Sequence, residues 1–247
     1  MNKETKLKKN MLTEECQGVF TITFNRPDKK NALNSSMYEQ LCEHFNYASQ
    51  SEDIRCLLIK GDEHCFSAGN DFTQSVNEED QPAFKFIELL AKFDKPIVAA
   101  VAGPAVGIGT TLLLHCDMVI AATNSKFILP FVHLGICLEA GASLLLPLKV
   151  GHNKAFELAV LGEAFSAEQA YQYGIVNKVC QPTELIETAA RIAQSIANLP
   201  ADSVQTSRRL IRQSSAKLMS DVLLNEKNEV TRLLKTDYCQ SILNKFS

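Results

Sequence analysis

Apolar and polar positions alternate most clearly at Val19 to Phe24 (VFTITF), where β-branched and aromatic residues at period two predict a strand. Asn25 to Asn34 (NRPDKKNALN) is turn chemistry throughout, with one Pro, one Asp and three Asn. Met37, Leu41, Phe45 and Ala48 then recur at helical spacing, and Ser36 with Glu39 reads as a capping box at the start of that helix. Ile54 to Lys60 (IRCLLIK) predicts a short buried strand ending at Gly61. A glycine-containing turn follows, CFSAGNDF at Cys65 to Phe72, and then a polar, acidic stretch at Asn77 to Gln81 that is expected to be solvated and mobile. From Ala83 to Phe93 the pattern is helical again, with Phe86, Leu90 and Phe93 on one face and Pro96 beyond its end.

The longest apolar run is Ile97 to Ala122. About 20 apolar residues would suffice to span a bilayer, but this run contains Gly103, Pro104, Gly107, Gly109, His115 and Asp117. It reads instead as a strand buried on both faces (IVAAV, Ile97 to Val101), a turn (GPAVGIG), a helix at Thr110 to His115 and a second strand at Met118 to Ala122. Another strand at Lys126 to Leu129 and the loop LGICLEAGAS, Leu134 to Ser143, complete an α/β pattern. Beyond Val150 helices dominate. One covers His152 to Leu161 and another Ser166 to Tyr173, with Ser166 and Gln169 as capping box and Gly174 as stop. Ile175 to Val179 predicts a short strand, and Pro182 opens an amphipathic helix that turns Leu185, Ala189, Ile192 and Ile196 inward. Ala201 to Phe246 reads as two or three further helices.

Charge removes several classes of function. With 25 basic and 28 acidic residues the net charge is −3, and no basic block exists beyond the Lys-rich first ten residues, so no nucleic-acid partner is expected. That first segment is expected to be frayed, and it lacks the apolar core of a signal peptide. The eight cysteines are scattered without C-x-x-C or Cys/His ligand spacing, so metal is not expected, and reduced thiols in a reducing compartment are. A cytoplasmic location is expected, because the terminal NKFS is not the S-K-L peroxisomal address.

Three segments carry candidate chemistry. GPAVGIG is not the dinucleotide fingerprint, and no phosphate-binding loop with G-K-[ST] occurs. Two readings stay open for it: close packing of a strand-to-helix turn, or helix N-terminal amides at Ile108 and Gly109 left free for a negatively charged oxygen. CFSAGNDF is either a turn in which Asp71 caps the next segment or a second set of exposed N–H groups. Glu139 is either an acidic residue favoured near a helix start or a general base among nonpolar neighbours, where desolvation would raise its pKa. The five histidines accompany no Ser/His/Asp order, and core or surface roles are expected for them.

Taken in order, FNRPDKKNALN, the C-F-S-A-G-N-D-F turn, KPIVAAVAGPAVGIG, CDMVIA, the PFVHLGICLEAG loop and EAFSAEQAYQYGIVNKV resemble the enoyl-CoA hydratase/isomerase (crotonase) superfamily, over a match from about Val19 to near the C-terminus. The resemblance implies a crotonase-like (ββα)n spiral α/β core over 1–195 and a C-terminal helical trimerisation region over 196–247, assembled as a homotrimer or a hexamer. It implies an acyl-CoA thioester substrate and no cofactor beyond the coenzyme A that the substrate carries. It further implies that Asn70 and Ile108 supply the two oxyanion amides. Lys30, Ala32, Ala68, Gly69, Asp71 and Phe72 would line the coenzyme A side. Where hydratases of the superfamily carry two glutamates, this chain has Thr111 and Phe131. Glu139 instead falls where the peroxisomal-type 3,2-enoyl-CoA isomerases resemble this chain and carry their base; a Gly is common where Ala140 stands. The expected reaction is therefore a 3-to-2 shift of a double bond, with Glu139 as base and acid. A 2-enoyl-CoA hydratase or other crotonase chemistry is one alternative, and an inactive acyl-CoA-binding module is the second. Because the oxyanion donors are main-chain groups, Asn70→Ala is expected to be mild.

Overall fold

The computed structural model describes residues 10–72 and 82–245. The first nine residues and the acidic stretch at Asn77 to Gln81 lie outside them. The strands are β1 (Met11–Cys16), β2 (Val19–Phe24), β3 (Cys56–Lys60), β4 (Ile97–Val101), β5 (Pro104–Val106), β6 (Met118–Ala122), β7 (Lys126–Ile128), β8 (Phe165–Ser166) and β9 (Lys178–Cys180). The α-helices are α1 (Ser35–Gln50), α2 (Pro82–Lys92), α3 (Ile108–Thr111), α4 (Ala142–Val150), α5 (His152–Phe156), α6 (Ala167–Gln172), α7 (Leu185–Ala197), α8 (Ala201–Leu234) and α9 (Asp237–Leu243).

The main sheet runs β1-β2-β3-β4-β6-β9, with β1 antiparallel to β2 and every other pair parallel. Parallel strands need both faces covered, and the burial follows that rule. Leu57, Ile59, Ile97, Ala99, Val101, Val119 and Ala121 face one core. The alternate positions, Cys56, Leu58, Val98, Ala100, Ile120 and Ala122, face a second core closed by Leu185, Ala189, Ala193 and Ala197 of α7. Successive side chains on a strand point to opposite faces, which is why continuous apolar runs are required here. A smaller sheet, β5-β7-β8, stands apart from the first.

Several sequence expectations shift. The helix at residue 35 is capped by Asn34, whose side chain accepts from the Met37 amide, and not by a Ser36/Glu39 box. Pro104–Val106, read as part of a turn, is a short strand, and the helix after it starts at Ile108. The helix from His152 changes to π-helical winding over Glu157–Leu161 before Gly162 stops it. The capping box of Ser166 and Gln169 is present as expected. The C-terminal part is one 34-residue helix followed by a seven-residue one.

That long helix is polar overall, yet it buries Arg208, Met219, Glu226 and Val230. Arg208 donates from Nε to Asp117 at 2.7 Å and from Nη1 to the Phe93 carbonyl at 2.5 Å. Asp117 in turn accepts from the Ile97 amide at 2.8 Å, so the start of α8 is tied to the edge of the central strand β4. Among the described residues no helix is long and apolar enough to cross a membrane.

Candidate active site

Two turns and one loop converge at the end of the parallel strands. The first turn is held by Asn31, a fully buried side chain at φ 55 whose amide donates to the Cys65 carbonyl at 2.8 Å. Lys30, also at positive φ, offers its carbonyl to the Ala68 amide at 2.9 Å. Leu33 and Asn70 then form an isolated parallel bridge. Its bonds run from the Leu33 amide to the Gly69 carbonyl (2.8 Å) and from the Asp71 amide to the Leu33 carbonyl (2.9 Å). In a parallel bridge those two bonds leave the central residue's own N–H pointing the other way. The Asn70 amide is that group.

The second turn is Val106 to Gly109. Gly107 (φ 54) precedes Ile108, the first residue of α3, whose amide is one of the donors a helix start leaves unpaired. Among the described residues neither the Asn70 nor the Ile108 amide donates to a protein acceptor. Glycine is what allows the two turns to touch. A β-carbon on Gly69 would lie 2.9 Å from the Val106 carbonyl oxygen, and one on Gly109 would lie 3.0 Å from that of Ser67.

The loop carrying Glu139 is pinned from three sides. Ala140 adopts φ 59 and Gly141 φ 72, so two successive left-handed residues turn the chain into α4. His115, buried beneath, bonds the Ala140 carbonyl through Nε2 at 2.6 Å. Burial lowers its pKa to about 4, so the ring is neutral and Nε2 carries the proton given to that carbonyl. Glu226 of α8 takes the amides of Gly141 (2.6 Å) and Ser143 (2.9 Å) and the Ser143 hydroxyl (2.6 Å).

Glu139 itself is 6% exposed, and its Oε1 has no hydrogen-bond partner. Burial first, and the Glu226 charge second, push its carboxyl from 4.5 up to about 7, against the lowering effect of a hydrogen bond from the Asn70 side chain. Asn70 Oδ1 accepts from the hydroxyl of Tyr38, another buried group, whose phenol burial and the Glu139 charge hold well above its usual value. Tyr38, Asn70 and Glu139 thus form one chain of polar groups. Glu139, Ala140 and Glu226 line a cavity of about 200 Å³ between α2 and α8, walled by Phe84, Ile87 and Leu223. A buried acid poised near neutrality can take a proton from carbon next to a carbonyl whose oxygen is held by free amides.

The structure thus brings the Asn70 side chain to Glu139, and it brings the turn of Gly69 and Asn70 against that of Val106 and Gly107, which leads into Ile108. Ala32, Ala68 and Phe72 are half-buried on the adjoining turns, and Gly69 is buried at their contact. The Lys30 side chain is exposed. The Asp71 carboxylate, 4% exposed, is paired with Arg26 at 2.5 Å and serves to hold the turn. Thr111 and Phe131 are both buried close by, with Phe131 packed against Gly107 and the Thr111 hydroxyl unpartnered. Three participants were not read from the sequence. Tyr38 sits beside Met37 on the apolar stripe of α1, where an aromatic reads as core. The Asn70 side chain was passed over in favour of its amide, and Glu226 belongs to a helix far along the chain with no local signal. Among the described residues no three His, Cys, Asp or Glu side chains gather as around a metal ion, and no cysteine is disulfide-bonded.

A family model described as enoyl-CoA hydratase/isomerase matches residues 14–246. The chain is 33% identical to the 1,2-epoxyphenylacetyl-CoA isomerase of Escherichia coli (strain K12), over 94% of this chain and 93% of that protein. It is 36% identical to enoyl-CoA delta isomerase 2 of Rattus norvegicus, over 83% of this chain and 55% of the rat protein. The crystal structure of an enoyl-CoA hydratase/isomerase from Pseudoalteromonas atlantica T6c superposes with a TM-score of 0.91 at 33% identity, covering 96% of each chain.

Proposed function

The chain belongs to the enoyl-CoA hydratase/isomerase family, and on that premise we propose that it is a 3,2-enoyl-CoA isomerase acting on an acyl-CoA thioester. The observation that carries this reading is Glu139: one buried carboxylate with a free oxygen, raised to about 7 and bonded by the side chain of Asn70, whose own amide is unpaired.

In the proposed reaction Glu139 takes a proton from C2, and the electrons delocalise over C2 to C4 and the thioester oxygen. The Asn70 and Ile108 amides receive the negative charge on that oxygen, a contribution of about 3–4 kcal/mol per donor in comparable sites. The carboxylic acid so formed returns its proton at C4, which leaves the double bond between C2 and C3. No water enters, so one acid suffices. The turns at Ala32 and Ala68, half-buried, and at Gly69 would take the coenzyme A arm, and the apolar wall of Phe84, Ile87 and Leu223 would take the acyl chain.

The second reading is a 2-enoyl-CoA hydratase, which one observation favours: a second carboxylate, Glu226, lines the same cavity. Both of its oxygens are occupied by protein donors, which favours the isomerase instead. The test is a panel of 3-enoyl and 2-enoyl thioesters with the wild type and Glu139→Gln. Conversion of 3-enoyl to conjugated 2-enoyl product by the wild type, lost in Glu139→Gln while thioester binding persists, is expected. Water addition to the 2-enoyl thioester would support the hydratase, and binding without turnover in the wild type would make the chain a non-catalytic acyl-CoA binder.

A further inference from the structure

Glu226 is a buried acid that the reaction above leaves unused, and its surroundings are unusual for a residue on a helix that is polar overall. It is 7% exposed, late in α8, and accepts three hydrogen bonds from the segment that begins α4. Gly141 is the N-cap of α4 and has no side chain with which to satisfy the first amides of that helix. Helix starts leave several N–H groups unpaired, and an ionised acceptor is the strongest remedy. Here the remedy is delivered by a different helix. A carboxylate has acceptors only, so it can serve two amides and a hydroxyl at once. A Gln in its place would turn an NH2 group toward one of those donors.

We infer that Glu226 is a positioning residue for the isomerisation: by gripping Gly141 and Ser143 it holds the Ala140–Gly141 turn, and with it the Glu139 carboxyl, against the substrate cavity that both acids line. This rests on the reading of Glu139 as the base. The same grip places a second negative charge beside Glu139, which disfavours its ionised form. The other titratable or charged groups around the pair are Tyr38 of α1, His115 beneath the loop, Cys137 ahead of it, Glu88 and Lys92 of α2, and Lys227 of α8. After burial, it is the Glu226 charge that raises the Glu139 carboxyl, and the Asn70 hydrogen bond opposes the rise. Glu226 is given no proton transfer in this inference, because both of its oxygens already accept from protein donors.

The test is the pH dependence of kcat and KM for 3-enoyl-CoA isomerisation by Glu226→Gln, with Ser143→Ala as a milder variant and Glu139→Gln as reference. In Glu226→Gln kcat is expected to fall about 10- to 100-fold through misplacement of the base, with KM close to wild type. The ascending limb of its pH profile is expected at lower pH, by about half a unit or more, because the neighbouring charge is gone. A purely structural role would lower the amount of active protein and leave that limb where it was. Wild-type kcat and an unmoved limb in folded Glu226→Gln overturn the inference, and so does a loss as complete as that of Glu139→Gln, which would make Glu226 catalytic. Should Glu226→Gln not fold, Ser143→Ala decides: a several-fold lower kcat at unchanged KM supports the inference, and wild-type kcat overturns it. An active Glu139→Gln would instead sink the isomerase reading itself.

Discussion

Glu139 is kept where its charge is least welcome, and this has a cost that thermodynamic linkage makes measurable. Its folded-state pKa of about 7 lies above the ordinary 4.5, so between those values the folded chain binds a proton that the unfolded chain has lost. The stability this group contributes is full below about pH 4.5 and fades as pH rises through 7. Glu139→Gln, which cannot ionise, is therefore expected to be more stable than wild type by roughly 2–3 kcal/mol at pH 8, with the difference closing toward pH 4. Urea unfolding across that range checks it; a variant no more stable at pH 8 would show that Glu139 is not desolvated. Asn70 behaves differently from what a main-chain donor would suggest. Its side chain joins Tyr38 to Glu139, and the bond it gives stabilises the carboxylate. Asn70→Ala is expected to lower kcat by about tenfold or more and to move the ascending limb of the pH profile upward, opposite to Glu226→Gln. Unchanged kinetics in Asn70→Ala would restore the milder expectation that considered the amide alone.

At the scale of elements, legibility follows how local the cause is. VFTITF and IVAAV are strands because period-two or continuous apolar runs admit little else, and both are found where the pattern puts them. The box at Ser166 and Gln169 is a contact over three residues, and it too is present. Neither β1 nor the second sheet could be found that way. β1 is almost entirely exposed beyond Met11, and its place is fixed by pairing with β2 across Gln17 and Gly18, both at positive φ. Pro104–Val106 is a strand only because Lys126–Ile128 lies beside it. Ser36 loses the cap to Asn34 because one residue's shift in the entry turn decides which oxygen meets the first amides. Within the site, Glu139 and the two glycine turns were visible as residue types in a pattern. Tyr38 and Glu226 were not, since their partners are set by tertiary packing.

The whole molecule joins two kinds of part. A two-faced parallel sheet fixes the positions of the amide-bearing turns, and a long helix added after it reaches back to close the cavity and grip the Glu139 loop. Arg208 and Glu226 are the two charged side chains that α8 buries, one tied to the sheet edge and the other to the active loop. The same helix leaves Leu210, Ile211 and Leu218 exposed, with Ile211 at 80%, and we propose that these residues serve the trimer or hexamer assembly that the resemblance implies for the C-terminal region. The proposal that one buried acid both removes and returns the proton is tested most directly by following an isotope. A 3-enoyl thioester carrying deuterium at C2 is turned over in ordinary water, and the 2-enoyl product is read by NMR. Deuterium delivered to C4, with no hydroxylated product, is predicted. A C4 position filled by solvent protium alone, or addition of water across the double bond, would contradict it.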